Sequence, residues 1–447
     1  MIRNLCTWML CVWPMTAQAW PQLSLESRGE LGAEFRSFTP DDDSSTQDLN
    51  FAVVGRLGID ASTKYIEAKG LAFFRYDALD SERSKIFVED GYLEMKRGML
   101  RLRAGYQRLN WTATEAFHPA DIVNARYWDS TIENQEKLGE PMLAVRLKAL
   151  GGDVEFYYRP IAVDPVFPST RSRMRVFAPI HTGVGADVTL GDPVRMRFNG
   201  DLYTDHFAYE QWGARIQRSF AGADLGVHVM QHLDRTTPVV FLDTTEASSP
   251  KARMLFQPVT VLGFTYVQAL GSFLIKMEGA YQWYMRPRGG QTPLGMVPER
   301  NYGSVALGLE YGFNHQGRGT STFILEGQGI FGFPKNQPVD ASIFLIPQAS
   351  RPVGLLTPLF NHDVMLAYRY SFDDESSTTV LCSAIVDVLR PQEFLLTASV
   401  ERRLGETWLA STGVRVVRIP PKDPKAPQGF ENMNDAHQIF VNVKRYF

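Results

Sequence analysis

Asp205 and His206 stand side by side, and an acid beside a histidine is the pair that general-base catalysis uses to activate water. Neighbours along an extended chain point to opposite faces, however, and no second acidic pair aligns with these two. His228, His232 and His362 have no serine in a matching position for nucleophilic chemistry. A CxxC pair, a Walker loop, HExxH and GxSxG are all missing. The reading is therefore of a chain that is no enzyme and needs no cofactor or metal. The more suggestive residues are cations: Arg101, Arg103, Arg146, Lys148, Arg195, Arg197 and Arg215, with Asp201 the main acid among them. Rows of fixed charge set the ion preference of a pore. The same arginines would equally suit a wet inner wall, paired across it with Glu67, Glu278, Glu310, Glu326 and Glu401.

These cations must be positioned by strands, because they recur with a two-residue period. "MLRLRAGYQR" sets Leu100, Leu102, Ala104 and Tyr106 against Arg101, Arg103 and Gln107. "PVRMRFNGDLY" sets Val194, Met196, Phe198 and Leu202 against Arg195, Arg197, Asn199 and Asp201. "SFLIKMEGAYQWY" sets Phe273, Ile275, Met277, Tyr281 and Trp283 against Lys276, Glu278 and Gln282. Such alternation marks a sheet with one apolar and one polar face. About twenty segments of this kind follow one another, roughly 9 to 13 residues each, near the length that crosses a bilayer as a tilted strand. Their connections mostly alternate between tight turns, such as Arg97-Gly98, Gly151-Gly152 and Leu404-Gly405, and long links, such as 110–140, 160–182 and 334–360.

Bulk properties agree. The net charge is −3, which points to neither nucleic acid nor a polybasic membrane patch. Residues 1–19 read as a secretory signal peptide: Arg3, an apolar run from Leu5 to Met15, then Ala17-Gln18-Ala19. Cys6 and Cys11 leave with it, so Cys382 alone remains and no internal disulfide can staple residues 20–447. The chain carries 28 Phe, 17 Tyr and 36 Gly. No later apolar stretch approaches the ~20 residues of a membrane helix. The expected fold is all-β: a closed antiparallel transmembrane barrel of about twenty strands, in a range of roughly 16 to 20, with short periplasmic turns and long extracellular loops. Closure is required because lipid offers backbone groups no partners, so the last strand must pair with the first, near Leu23 to Phe38. Phe220, Phe313 and Phe447 suit a lower aromatic girdle, and Tyr203, Trp283 and Phe333 an upper one.

The terminal "AHQIFVNVKRYF" resembles the last strand of bacterial outer-membrane β-barrel proteins, through Ile439, Val441, Val443 and Phe447. Arg445 departs from that pattern, where an apolar residue is usual. The resemblance implies a Gram-negative outer membrane, recognition by the barrel-assembly machinery, and contact with lipid and lipopolysaccharide. A shorter stretch, "LRAGYQRLNWTATEAFHPADIVNARYWD", is similar to a family of porin-like proteobacterial barrels at Gly105, Gln107, Trp111, Pro119, Asp121 and Asn124, with His118 where Asn is expected. It implies passage of a small or apolar solute. The oligomeric state stays open, as do a docking barrel and an outer-membrane hydrolase as alternative functions.

So wide a barrel needs something to narrow it, since 16–18 strands already leave an aqueous channel. The 110–140 link is the expected constriction, with Pro119 placed to open a short helix and Asp121, Asn124, Arg126, Asp129 and Glu133 facing the solute.

Overall fold

The computed structural model describes residues 23–40, 46–129, 135–169, 171–176, 180–181, 187–243, 251–285, 301–332, 343–345, 353–356, 361–421 and 429–447. The signal-peptide segment 1–19, Glu133 and Phe333 lie outside the described residues. Eighteen antiparallel strands form one sheet. They are β1 Ser24–Phe38, β2 Leu49–Ser62, β3 Ile66–Asp77, β4 Lys85–Arg97, β5 Leu100–Gln107, β6 Glu140–Ala149, β7 Gly152–Ile161, β8 Phe207–Phe220 and β9 Ala223–Leu233. The second half comprises β10 Pro258–Leu270, β11 Phe273–Tyr284, β12 Tyr302–Asn314, β13 Gly319–Phe331, β14 Asp363–Phe372, β15 Thr379–Asp387, β16 Phe394–Leu404, β17 Trp408–Arg418 and β18 Gln438–Tyr446.

Each strand pairs with its sequence neighbours, and β18 returns to β1 in the register Glu30↔Tyr446 to Phe38↔Gln438. Gly29 and Phe447 add two backbone hydrogen bonds, at 2.8 and 3.0 Å. A Cβ at Gly29 would collide with the Phe447 ring, so the terminal aromatic lies over a glycine at the seam. The sheet has no free edge, as lipid requires. No helix among the described residues is long and apolar enough to cross a membrane.

Alternation fixes the two faces. On β11, Phe273, Tyr281 and Trp283 are exposed while Lys276, Glu278 and Gln282 are buried. On β18, Ile439, Val441 and Phe447 are exposed while Gln438 is buried. Apolar side chains thus coat the outside, and polar ones turn to the lumen. Outward aromatics gather near the turns (Phe220, Phe313, Phe372, Trp408, Phe447) and near the loops (Tyr76, Tyr209, Trp283, Phe331). Tyr203 is a correction: it is half-buried in a loop, not on the outer wall.

Two segments expected in the wall, near 183 and 193, are not barrel strands. They fall within the single link 162–206 as the short strands Ile180–His181, Asp187–Leu190, Val194–Met196 and Leu202–Tyr203. Asp187–Leu190 and Val194–Met196 run parallel to Lys251–Phe256 of another loop. That strand pairs with Val239–Asp243, which pairs in turn with Val353–Leu356 of a third loop. Three long loops therefore share a second sheet. Its alternation mimics a wall strand because Val194, Met196 and Leu255 pack on Val259, Val261, Ala280, Tyr284 and Ile330.

Candidate functional site: the lumen and its folded segment

The described parts of the link between β5 and β6, residues 108–129 and 135–139, reach the inward face of strands on the other side of the barrel. Glu278 of β11 accepts hydrogen bonds from the Ala113 N–H at 2.5 Å, the Thr114 N–H at 2.9 Å and the Thr114 hydroxyl at 2.8 Å. Its second oxygen accepts from the Ala120 N–H at 3.4 Å. Glu326 of β13 accepts from the Glu115 and Ala116 N–H groups at 2.6 and 2.9 Å. Lys276 reaches Glu115 at 2.5 Å and Glu310 at 2.8 Å. An irregular segment carries backbone donors with no ladder to join, and two inward carboxylates collect them by charge-assisted bonds. The short helix expected at Pro119 does not form: the chain turns there, with the Asp121 N–H on the His118 carbonyl at 3.1 Å.

The near side of the segment is held by side-chain packing and ion pairs. Trp111 is buried, 4.5 Å from the His228 ring and 5.6 Å from Tyr157, with the Arg215 guanidinium 5.1 Å above it. Trp128 stacks between Phe167 at 5.4 Å and Phe430 at 5.5 Å. Arg56 of β2 contacts Glu30 at 2.6 Å, Glu89 at 2.8 Å and Glu136 of the segment at 2.6 Å. Glu140, fully buried, receives Arg159 at 3.0 Å and Arg235 at 2.8 Å, and also the Ala125 N–H at 2.6 Å.

Of the expected constriction residues, Asp121, Asn124, Arg126 and Asp129 occupy this packing and are not presented to open space. Asp121 is buried against Arg126 at 3.0 Å and against Lys137. Asn124 bonds the carbonyls of Gln107 and Leu138, both at 2.9 Å. Asp129 is buried between Arg36 at 3.2 Å and Arg83 at 2.6 Å. Burial alone would raise both carboxyls, but Arg126 and Lys137 around Asp121, and Arg83 and Arg36 around Asp129, outweigh it and hold both below the ordinary carboxylate value.

The cation series divides. Arg101, Arg103, Arg146, Lys148 and Arg215 lie on the inward alternation of β5, β6 and β8. Arg103 pairs with Glu94 at 2.6 Å, Arg101 reaches the same carboxylate at 3.7 Å, and Arg146 pairs with Glu155. Arg195, Arg197 and Asp201 are corrections, since they belong to the 162–206 loop. There Arg195 is buried against Asp164, and Arg197 stacks 4.6 Å over Tyr203. The pairing partners also differ from those expected across the lumen. Adjacent strands lie about 5 Å apart, so neighbours such as Glu94 and Glu155 win. Glu278 and Glu326 are left for the segment. His206 Nδ1 meets Arg195 at 3.0 Å and Asp164 at 3.8 Å, while Asp205 caps the Phe207 N–H at 2.7 Å. Among the described residues no cluster of ligands suits a metal.

Sequence reading missed Glu140, Arg159 and Arg56, and it placed Glu278 and Glu326 in the lumen as partners of arginines and not as anchors of the segment. The available signal was a carboxylate at mid-strand on the inward face, which a wet wall also explains.

No protein-family model matches this chain, and no curated protein does. Among solved structures it is similar to the loop-L8 deletion mutant of OmpT, an outer membrane protein of Vibrio cholerae. That likeness has 10% identity and a TM-score of 0.44, covering 95% of this chain and 99% of that one. It is also similar to a mutant of the Rh. blastica porin, at 12% identity and a TM-score of 0.40, covering 95% of this chain and 100% of that one.

Proposed function

We propose that this chain, an outer-membrane β-barrel of eighteen strands, is a non-catalytic channel that passes a small solute through a lumen narrowed by residues 108–139. The observation that carries this reading is the grip of Glu278 and Glu326 on the amides of 113–120. The segment is pinned to β11 and β13 and packs on the loop-side apolar residues of β14 to β17, so in this reading the passage follows the wall whose inward face below that packing is small and polar. That wall runs along β14 to β18, where Ser383, Ser399 and Ser411 turn small hydroxyls inward. The cations on β5, β6 and β8 line the opposite wall as paired charge, so they tune the field and form no continuous anion ladder.

In the same reading the chain is exported from a Gram-negative cytoplasm by its 1–19 leader and inserted by the barrel-assembly machinery through Ile439, Val441, Val443 and Phe447. Its outer surface then meets lipopolysaccharide on the long-loop side.

Single-channel recording in planar bilayers tests the function. The wild-type barrel should conduct, and E278A/E326A should conduct more and with more noise, because the segment loses its far anchor. Silence from both proteins would sink the channel and favour a docking barrel with a sealed lumen.

A further inference from the structure

Arg445 breaks the terminal-strand pattern at a position that faces outward, and it does not stand alone. Arg97 on β4, Arg218 on β8, Arg402 on β16 and Arg445 on β18 all fall on the apolar, outward alternation of their strands and are exposed. All four lie within the last three residues of a strand that descends to the short-turn side. No Asp or Glu shares that face at that end of the described strands. An arginine on the lipid face is costly at the bilayer midplane and much less so near the interface. These four share one interfacial level, and a fifth outward arginine, Arg418 on β17, stands at the opposite, loop-side end; both are levels where snorkelling to headgroups is possible.

Two of the four frame an aromatic. Trp408 is the register partner of both Arg445 and Leu404, with the Arg445 guanidinium 5.8 Å from its ring. Arg402 lies two residues above Leu404, opposite Ala410. Arg402 also reaches Ser376 Oγ at 3.3 Å and Asp374 at 3.7 Å in the neighbouring turn. Both contacts are at the surface and worth little.

We infer that this arginine belt binds anionic phospholipid headgroups of the periplasmic leaflet, with Arg402, Trp408 and Arg445 forming its best-defined site. Each guanidinium offers a planar fork suited to a phosphodiester, and the indole seats at headgroup depth. The inference does not depend on the channel reading, because it concerns only the outer wall.

The folded barrel reconstituted with brominated phosphatidylglycerol or brominated phosphatidylcholine tests it through quenching of tryptophan fluorescence. The wild type should prefer phosphatidylglycerol. R97Q/R218Q/R402Q/R445Q should lose most of that preference, and the matching four-lysine variant should keep part of it, since charge remains but the fork is lost. R402Q/R445Q should lose the part quenched through Trp408, as identified by W408F. A wild type without preference, or a preference that survives in the glutamine variant, overturns the inference. So does stabilisation of the detergent-solubilised barrel by inorganic phosphate alone, which would mark a general anion site and not a lipid one.

Discussion

The wall from β2 to β8 and the wall from β14 to β18 face one lumen with different chemistry. The first carries long charged side chains at most inward positions, and nearly all of them are tied: Arg56 to three carboxylates, Lys69 to Asp90, Arg103 to Glu94, Arg159 to Glu140. The second is small and hydroxylic at mid-height, and apolar toward the loops through Met365, Ala367, Ile385, Leu395 and Val417. The difference shows where the folded segment is rooted. Where the segment covers the first wall, as at Arg159 and Glu140, charges are desolvated and must be paired, or each costs several kcal/mol. The second wall meets the segment by apolar packing instead: Ala116, Phe117 and Trp128 share one buried cluster with Met365, Ile385, Leu395 and Val417.

Blocking the hydroxylic part of the second wall should give the largest effect. In a C382S background, S399C labelled with a bulky thiol reagent should lose most of its single-channel current. R103C labelled in the same way should lose much less. Equal losses would erase the functional contrast between the walls.

Breaking the buried triad is expected to cost less but to be measurable. Arg159→Met leaves Glu140 with Arg235 alone at the centre of the charged wall, and should destabilise the folded barrel by about 3–5 kcal/mol in urea titration. A loss under about 1 kcal/mol would mean that water reaches the site and that the wall is less packed than described.

The smallest change is expected from pH. The folded values of Asp121 and Asp129 are held down, so the stability they contribute is complete above the ordinary carboxylate value of 3.8 and fades only as pH falls through the lower, folded values. Conductance should therefore be flat from pH 7 to roughly pH 4 as far as these two groups decide it. A step well above that window would show that other groups latch the segment.

Much of the fold was legible. The two-residue period placed Phe273, Tyr281 and Trp283 outside and Lys276, Glu278 and Gln282 inside, as observed. The need to close placed β18 on β1. The same rule failed at 193–203, because a short strand packed on an apolar neighbour alternates just as a wall strand does. The candidate site was less legible. Asp121, Asn124 and Asp129 looked available because they are polar residues in a link, and the fold instead uses them to knit that link together.

What the sequence alone determined is the cylinder: local alternation, strand length and the penalty for unpaired backbone in lipid leave little else to choose. Only the tertiary structure decided what fills it. Which carboxylate meets which amide or guanidinium depends on distances across the lumen between residues more than a hundred positions apart, such as Thr114 and Glu278. Those distances are set by the closed circumference and by no local pattern.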